Sequence, residues 1–293
     1  MSGQFEVSYI RENDDDSPYF RTLSGRKFNT LNPTYLLPAD EDEVKRSELH
    51  HRMMQFVFQG KNYVGPVKEA LQFGVHRRIL DLGTGCGFWA ISMADEFPRA
   101  EVIGIDLAFE LCDLETGIPY PNEYFDFIHA RSMHTGIRDY PWLLREIARV
   151  LRPGGLVLLI EPDLTPKVDG GFARDWSILW ETYRNCLTRQ RIDVSVPERL
   201  EDMLGATGAF ENIIKRDGNI PVGSWPKDKH LLSVGQLQWL DYDLFLPALR
   251  PMFLELGLTE TQARSLIENA QHHLYQPGSM STQVHIVHGS KKL

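Results

Sequence analysis

The run "ILDLGTGCGFW", Ile79 to Trp89, confines the fold more than any other part of the chain. A strand-like apolar pattern delivers Asp81 and passes three alternate glycines, Gly83, Gly85 and Gly87. It continues into a helical pattern, GFWAISMADEF. Glycines admit positive φ and close backbone approach, and the open N–H groups of the following helix suit a flat or anionic ligand. The spacing is GxGxG, not the GxGxxG of dinucleotide sites, and alone it fits a tight turn equally well.

From Arg77 to Pro162 short β-rich runs alternate with helical patterns, which predicts βαβ units and a mostly parallel sheet. RRILDL, VIGIDL, FELCDL, FDFIHA and GLVLLIEP read as strands. "YPWLLREIARVL" reads as an amphipathic helix closed by Pro153, Gly154 and Gly155. Upstream, Asp40 is placed to cap a helix with Val44, Leu49, Met53, Phe56 and Val57 near helical spacing. Downstream, helices are expected over about 172–191, 197–204 and 233–274, with strands at 210–216 and in "TQVHIVHG". The expected class is α/β: a Rossmann-like, mostly parallel sheet with its last strand antiparallel. Residues 1–40 read as an N-terminal arm and 41–293 as a single domain with a helical cap inserted at about 231–275.

One junction resists this pattern. In "VIGIDLAFELCDLE" two apolar runs, each ending in an aspartate, are separated by little more than Ala108. A parallel crossover needs a dozen or more residues, because the chain must return about 20 Å along a six-residue strand. Two residues span about 7 Å. Leu-Ala-Phe also lacks the glycine or asparagine of a primed hairpin turn. The sequence therefore predicts a missing segment between Leu107 and Phe109.

Composition narrows the function. A formal charge of −9 without a lysine or arginine tract argues against nucleic acid as the main partner. The longest apolar stretch, around Leu156–Ile160, is far short of the roughly 20 residues of a bilayer span, so no membrane role is expected. Cys86, Cys112 and Cys186 form neither an even disulfide framework nor a metal-ligand spacing, and no metal is expected. The expected compartment is the cytoplasm; a regulatory role would admit the nucleus.

Asp81, Asp106 and Asp113 stand at successive expected strand ends, where the carboxyl edge of a doubly wound sheet binds its ligand. A dinucleotide accounts for Asp106 alone. A ligand with an ammonium group, a ribose and an adenine amine uses all three. The series "ILDLGTGCG", "VIGIDL", "CDLE", "FDFIHARSMHTGIRDYPWLLREIARVLRPGG" and "LVLLIEPDL" resembles the ordered motifs of class I S-adenosylmethionine-dependent methyltransferases. With "YLLPADEDEVKRSELHH" and "SVGQLQWLDYDLFLPALRPMF", nearly the whole chain is similar to the fungal LaeA-like, TAM-domain branch. It departs from that branch after "IDL", where the relatives carry a proline-rich loop.

The resemblance implies S-adenosyl-L-methionine as cofactor and S-adenosyl-L-homocysteine as product. Asp81 and the backbone of Gly83, Thr84 and Gly85 would hold the methionine part. Asp106, with Leu107, would bind the ribose, and Asp113 with Leu114 would contact adenine. Ala130 and Arg131 would pass beside the methionine moiety, and Tyr35 would either close over the cofactor or anchor the arm. The implied partner is a small-molecule methyl acceptor, most plausibly an oxygen acceptor of fungal secondary metabolism.

A protonated acceptor calls for a base, and histidine suits neutral pH. Of ten histidines, His134 in "SMHTG" follows the fourth strand at the ligand edge, although packing within that loop explains it too. His50 and His51 share a helix, so one is expected to face the crevice and the other solvent. His129, His285 and His288 read as structural. Trp239, Tyr242 and Phe245 form a helical stripe, and Trp176 and Trp180 a helical pair, each readable as core or as an acceptor wall. Two rivals remain: a LaeA-like regulator acting through a protein partner, and a nicotinamide oxidoreductase, which Asp81 and Asp113 disfavour.

Overall fold

The computed structural model describes residues 17–32, 35–72, 76–107, 113–168, 173–276 and 278–293. A short hairpin, β1 (Phe20–Leu23) and β2 (Arg26–Asn29), precedes α1 (Glu41–Val57). Asp40 caps α1 by accepting from Glu43 N–H, and Glu41, Asp42 and Glu43 complement the positive end of its dipole. Next come α2 (Val67–Ala70), β3 (Arg77–Leu82), α3 (Phe88–Glu96), β4 (Ala100–Ile105), β5 (Phe125–Arg131), α4 (Tyr140–Val150), β6 (Leu151–Pro162) and β7 (Lys167–Val168). The chain continues through α5 (Arg174–Arg189), α6 (Val196–Ala206) and β8 (Phe210–Val222). It ends with α7 (Lys229–Ala248), α8 (Arg250–Glu255), α9 (Glu260–Leu274) and β9 (Met280–Lys291).

The main sheet runs β4-β3-β5-β6-β9-β7, with β8 on the other edge of β9. β4, β3, β5 and β6 are mutually parallel, and β9 is antiparallel to both β6 and β8. This is the Rossmann-like, mostly parallel sheet expected from the sequence. Its central strands are apolar on both faces, as a doubly covered parallel sheet requires. Leu80, Ile128 and Leu159 pack toward α4 and α6, whereas their neighbours Ile79, Phe127, Leu158 and Ile160 pack with Met53 and Met54 of α1 and Trp89 and Met93 of α3. A third apolar cluster joins α5, α7, α8 and α9 around Trp176, Trp180, Tyr242 and Phe253.

The expected boundaries shift in several places. "LRPGG" does not close α4: the helix ends at Val150 and β6 begins at Leu151, absorbing Pro153 and both glycines in a register shift opposite Phe125 and Phe127. β8 reaches Val222 because β9 offers it a continuous partner down to Met280. The helical stretch after residue 229 divides in three. Gly257 at φ +98° breaks it, and a Thr259–Gln262 capping box restarts it as α9. Of the strand expected from FELCDL only Asp113 and Leu114 are described, with Leu114 in a turn; residues 108–112, which hold the rest of that run and the point where the missing segment was predicted, fall outside the described residues. Among the described residues no helix is long and apolar enough to cross a membrane.

Candidate functional site

The loop after β3 is shaped by Gly83, Gly85 and Gly87, with φ of +65°, +56° and +77°. Such left-handed values are costly for other residues. Gly83 N–H and Thr84 N–H both donate to Ile105 O, at 2.9 and 3.1 Å, strapping the loop across the end of β4. Gly85 N–H donates to Asp106 Oδ2 at 2.8 Å, so the acid after β4 and the glycine loop form one rigid unit.

This unit opens on a cavity of about 620 Å³. Tyr35, Gly83, Thr84, Gly85, Asp106, Leu107, Asp113 and Leu114 line it, as do Arg131, His134 and His50. Two expected ligand contacts sit behind the wall. The Asp81 carboxylate is 3% exposed and is occupied internally: Thr84 Oγ1 donates to Oδ2 at 2.8 Å, and His129 Nδ1 lies 2.7 Å from Oδ1. Asp81 therefore holds the loop rather than facing the cavity. Ala130 is fully buried in the sheet core.

His134 stands in a short helical turn after β5, and its ring and the Glu161 carboxylate are wholly buried. Glu161, near the end of β6, accepts from Met133 N–H at 3.0 Å and from the Tyr140 hydroxyl at 2.9 Å. Its Oε2 lies 2.6 Å from His134 Nδ1. A carboxylate can only accept, so Nδ1 carries the proton and Nε2 keeps a lone pair in the neutral ring. Nε2 has no hydrogen-bond partner among the described residues.

A second polar cluster joins α1 to α7. Arg46 Nη1 donates to Asp241 Oδ1 at 2.9 Å, and His50 Nδ1 lies 3.4 Å from Asp241 Oδ2. Burial favours the neutral Asp241 acid, but Arg46 and His50 overcome it and hold the carboxyl below its usual range. Burial pushes His50 below the ordinary histidine value, only partly offset by Asp241. His51 does not face solvent as expected. It is buried, with Nε2 3.2 Å from Ser92 Oγ and its ring stacked on Phe88, because α1 packs against α3.

The wall beyond His50 is aromatic: Trp180 and Tyr183 from α5, Tyr242 and Phe245 from α7. The stripe on α7 therefore divides. Tyr242 and Phe245 line the cavity, whereas Trp239 donates its indole N–H to Leu274 O outside it. The pair on α5 divides likewise, with Trp176 packed behind Tyr242. Burial raises the phenol of Tyr35 well above its ordinary value. Burial raises the Asp113 carboxyl, only partly offset by the hydrogen bond it accepts from Glu115 N–H. Among the described residues no cluster of histidines, cysteines and acids could hold a metal ion.

Sequence reasoning missed Glu161 and Asp241. Glu161 ends a strand run just as Asp81 and Asp106 do, so the strand-end rule extended to "LVLLIEP" would have found it. Asp241 gave no such signal, since the charged and histidine partners that set its role, Arg46 and His50, lie 195 and 191 residues away.

Residues 49–212 match the family described as methyltransferase domain. The chain is 31% identical over 278 residues to the secondary metabolism regulator laeA of Coprinopsis cinerea, covering 86% of this chain and 69% of that protein. It is 27% identical over 258 residues to the protein-methionine methyltransferase laeA of Emericella nidulans, covering 80% and 66%. Among solved structures it is similar to Haemonchus contortus phosphoethanolamine N-methyltransferase 2 in complex with S-adenosyl-L-methionine. There the TM-score is 0.48 and the identity 18%, with 91% of this chain and 62% of that one covered.

Proposed function

The chain belongs to the methyltransferase-domain family and is an S-adenosylmethionine-dependent methyltransferase; we propose that it methylates a small molecule, at oxygen, within fungal secondary metabolism. The residues present fit the donor. The backbone at Gly85 leaves room for a ligand, since a Cβ there would meet nothing nearer than Ser47 Oγ at 3.8 Å, whereas at Gly83 the space is taken by the Met133 side chain. Asp106 would accept from ribose hydroxyls, Asp113 and the Leu114 backbone would meet adenine, and Asp81 would act through the loop it fixes. When bound, S-adenosylmethionine supplies a methyl group already activated by its sulfonium.

The chain's own task is then alignment, exclusion of water and removal of a proton. Trp180, Tyr183, Tyr242 and Phe245 would hold a flat acceptor. His134 Nε2 would receive the proton of an acceptor hydroxyl as the oxygen–methyl bond forms, and Glu161 would stabilise the resulting imidazolium through Nδ1–H. The observation that carries the reading is this buried His134–Glu161 pair on the same cavity as the glycine loop. His50, oriented by Asp241, is the second candidate base.

The names of the two relatives favour a second reading, in which the acceptor is a protein or the chain acts as a regulator through a protein partner. The aromatic wall supports the small molecule over a polypeptide. Purified protein with methyl-labelled S-adenosylmethionine and a fungal metabolite extract separates them. Label in a low-mass product supports the first reading; label in protein, or none despite donor binding, supports the second.

A further inference from the structure

Asp163 directly follows β6, where its backbone N–H donates to Gln283 O of β9 at 2.8 Å. It is 9% exposed and lines the cavity. One carboxylate oxygen, Oδ1, accepts from Thr165 N–H at 2.9 Å and from the Thr165 hydroxyl. The other, Oδ2, has no hydrogen-bond or ion-pair partner among the described residues. The neighbouring arginines are engaged elsewhere: Arg46 by Glu43 and Asp241, Arg184 by Leu164 O, while Arg131 feels the charge of Asp81. A carboxylate withdrawn from water without a counter-ion is costly, so this one calls for a cation from outside the chain.

The sheet places Asp163 on the acceptor side. β6 is two strands from β3, about 10 Å at the usual strand spacing, so its end lies beyond a donor seated on the glycine loop. The next residue, Leu164, packs into the cluster of Trp180, Tyr183 and Tyr242. The Tyr242 phenol, raised first by burial, also feels the charges of Asp241 and Asp163. Aromatic faces attract cations, and this wall already carries one: the Arg46 guanidinium lies 5.6 Å from the Phe245 ring centre. A carboxylate beside such faces selects a protonated amine over a neutral hydroxyl. We propose that the acceptor bears a cationic nitrogen, held by Asp163 and the faces of Trp180 and Tyr242 while the acceptor's hydroxyl meets His134. The inference rests on the small-molecule reading of the cavity and names the class of that molecule, a hydroxylated amine.

Label transfer with a fungal metabolite extract tests the class, the low-mass products being separated on a cation exchanger at neutral pH. Methyl label retained on the exchanger is expected. Label confined to unretained products overturns this inference and leaves the small-molecule reading standing; label in no low-mass product ends both. Calorimetry on the full chain saturated with S-adenosylhomocysteine tests the residue, with tyramine and tyrosol, two phenols that differ by an ammonium for a hydroxyl. Tyramine is expected to bind about 10- to 100-fold more tightly than tyrosol, and Asp163→Asn, which keeps an acceptor for Thr165, to abolish the difference. S-adenosylhomocysteine affinity should stay within about twofold in the variant. Equal binding of the two phenols by the wild-type chain, binding of neither, or a preference that survives Asp163→Asn overturns the assignment. An equal loss of S-adenosylhomocysteine affinity also overturns it, since Asp163 would then serve the donor.

Discussion

His134 Nδ1 lies 2.6 Å from Glu161 Oε2, with both side chains sealed from water. The pair bridges the ends of two adjacent parallel strands, β5 and β6, so the ring is oriented by the sheet rather than by a mobile loop. His134→Ala is expected to leave S-adenosylhomocysteine affinity within about twofold and to reduce turnover about 10²- to 10⁴-fold. Unchanged turnover would transfer the base to His50.

Glu161 carries a structural load as well, because it accepts from three donors. Glu161→Ala leaves Tyr140, Met133 N–H and His134 without their acceptor and is expected to cost about 3–5 kcal/mol in urea denaturation. Glu161→Gln keeps the shape and is expected to cost less stability while still lowering kcat, since its amide cannot balance an imidazolium. Equal effects of the two substitutions on kcat would reduce Glu161 to a packing role.

Asp106 binds the glycine loop through Gly85 N–H and faces the cavity. Asp106→Ala is expected to weaken S-adenosylhomocysteine at least about 10-fold. The far-UV circular dichroism should not change. Asp81→Asn, in contrast, should act indirectly, by loosening Thr84 and His129, and so lower the melting temperature together with affinity.

The loop, its three glycines and the acid after β4 were legible in the sequence because strand, turn and helix each leave a local pattern at that point. That Asp81 turns inward while Asp106 lines the cavity was not, since both end apolar strands. Only the contact of Asp81 with His129, across two strands paired at that register, turns it inward. Tyr242 and Phe245 were separable from Trp239 only once α9 had claimed the indole.

Burial pushes His51 down to about 4 from its ordinary 6.5, with Arg131 adding to the effect. The folded state therefore binds this proton less readily than the unfolded chain. The stability it contributes is complete above about pH 6.5 and is lost as pH falls toward 4. Between pH 7.5 and pH 5 the loss should be about 1–2 kcal/mol by urea titration. His51→Gln should reduce the slope, leaving the parts due to His50, His129, His273 and His288, which are shifted in the same direction. A slope unaffected by the substitution would exclude His51.

Gly235 of α7 lies against β8: a Cβ there would sit 2.3 Å from Gly223 O, while Gly223 N–H donates to Gly235 O at 2.8 Å. Because the obstacle is backbone, Gly235→Ala should cost about 2–4 kcal/mol. Gly205→Ala on α6, where the nearest atom is 3.8 Å away, should be neutral or gain up to about 1 kcal/mol. Comparable melting temperatures for the two variants would show that α7 can slide on the sheet.

The cavity draws its two halves from different parts of the chain. The glycine loop, Asp106 and Arg131 belong to a sheet whose register leaves little freedom, whereas Trp180, Tyr183, Tyr242 and Phe245 stand on α5 and α7. Substitutions on those two helices can reshape one compartment without disturbing the other. A lineage built on this scaffold can therefore change what it modifies while inheriting unchanged the means of modifying it.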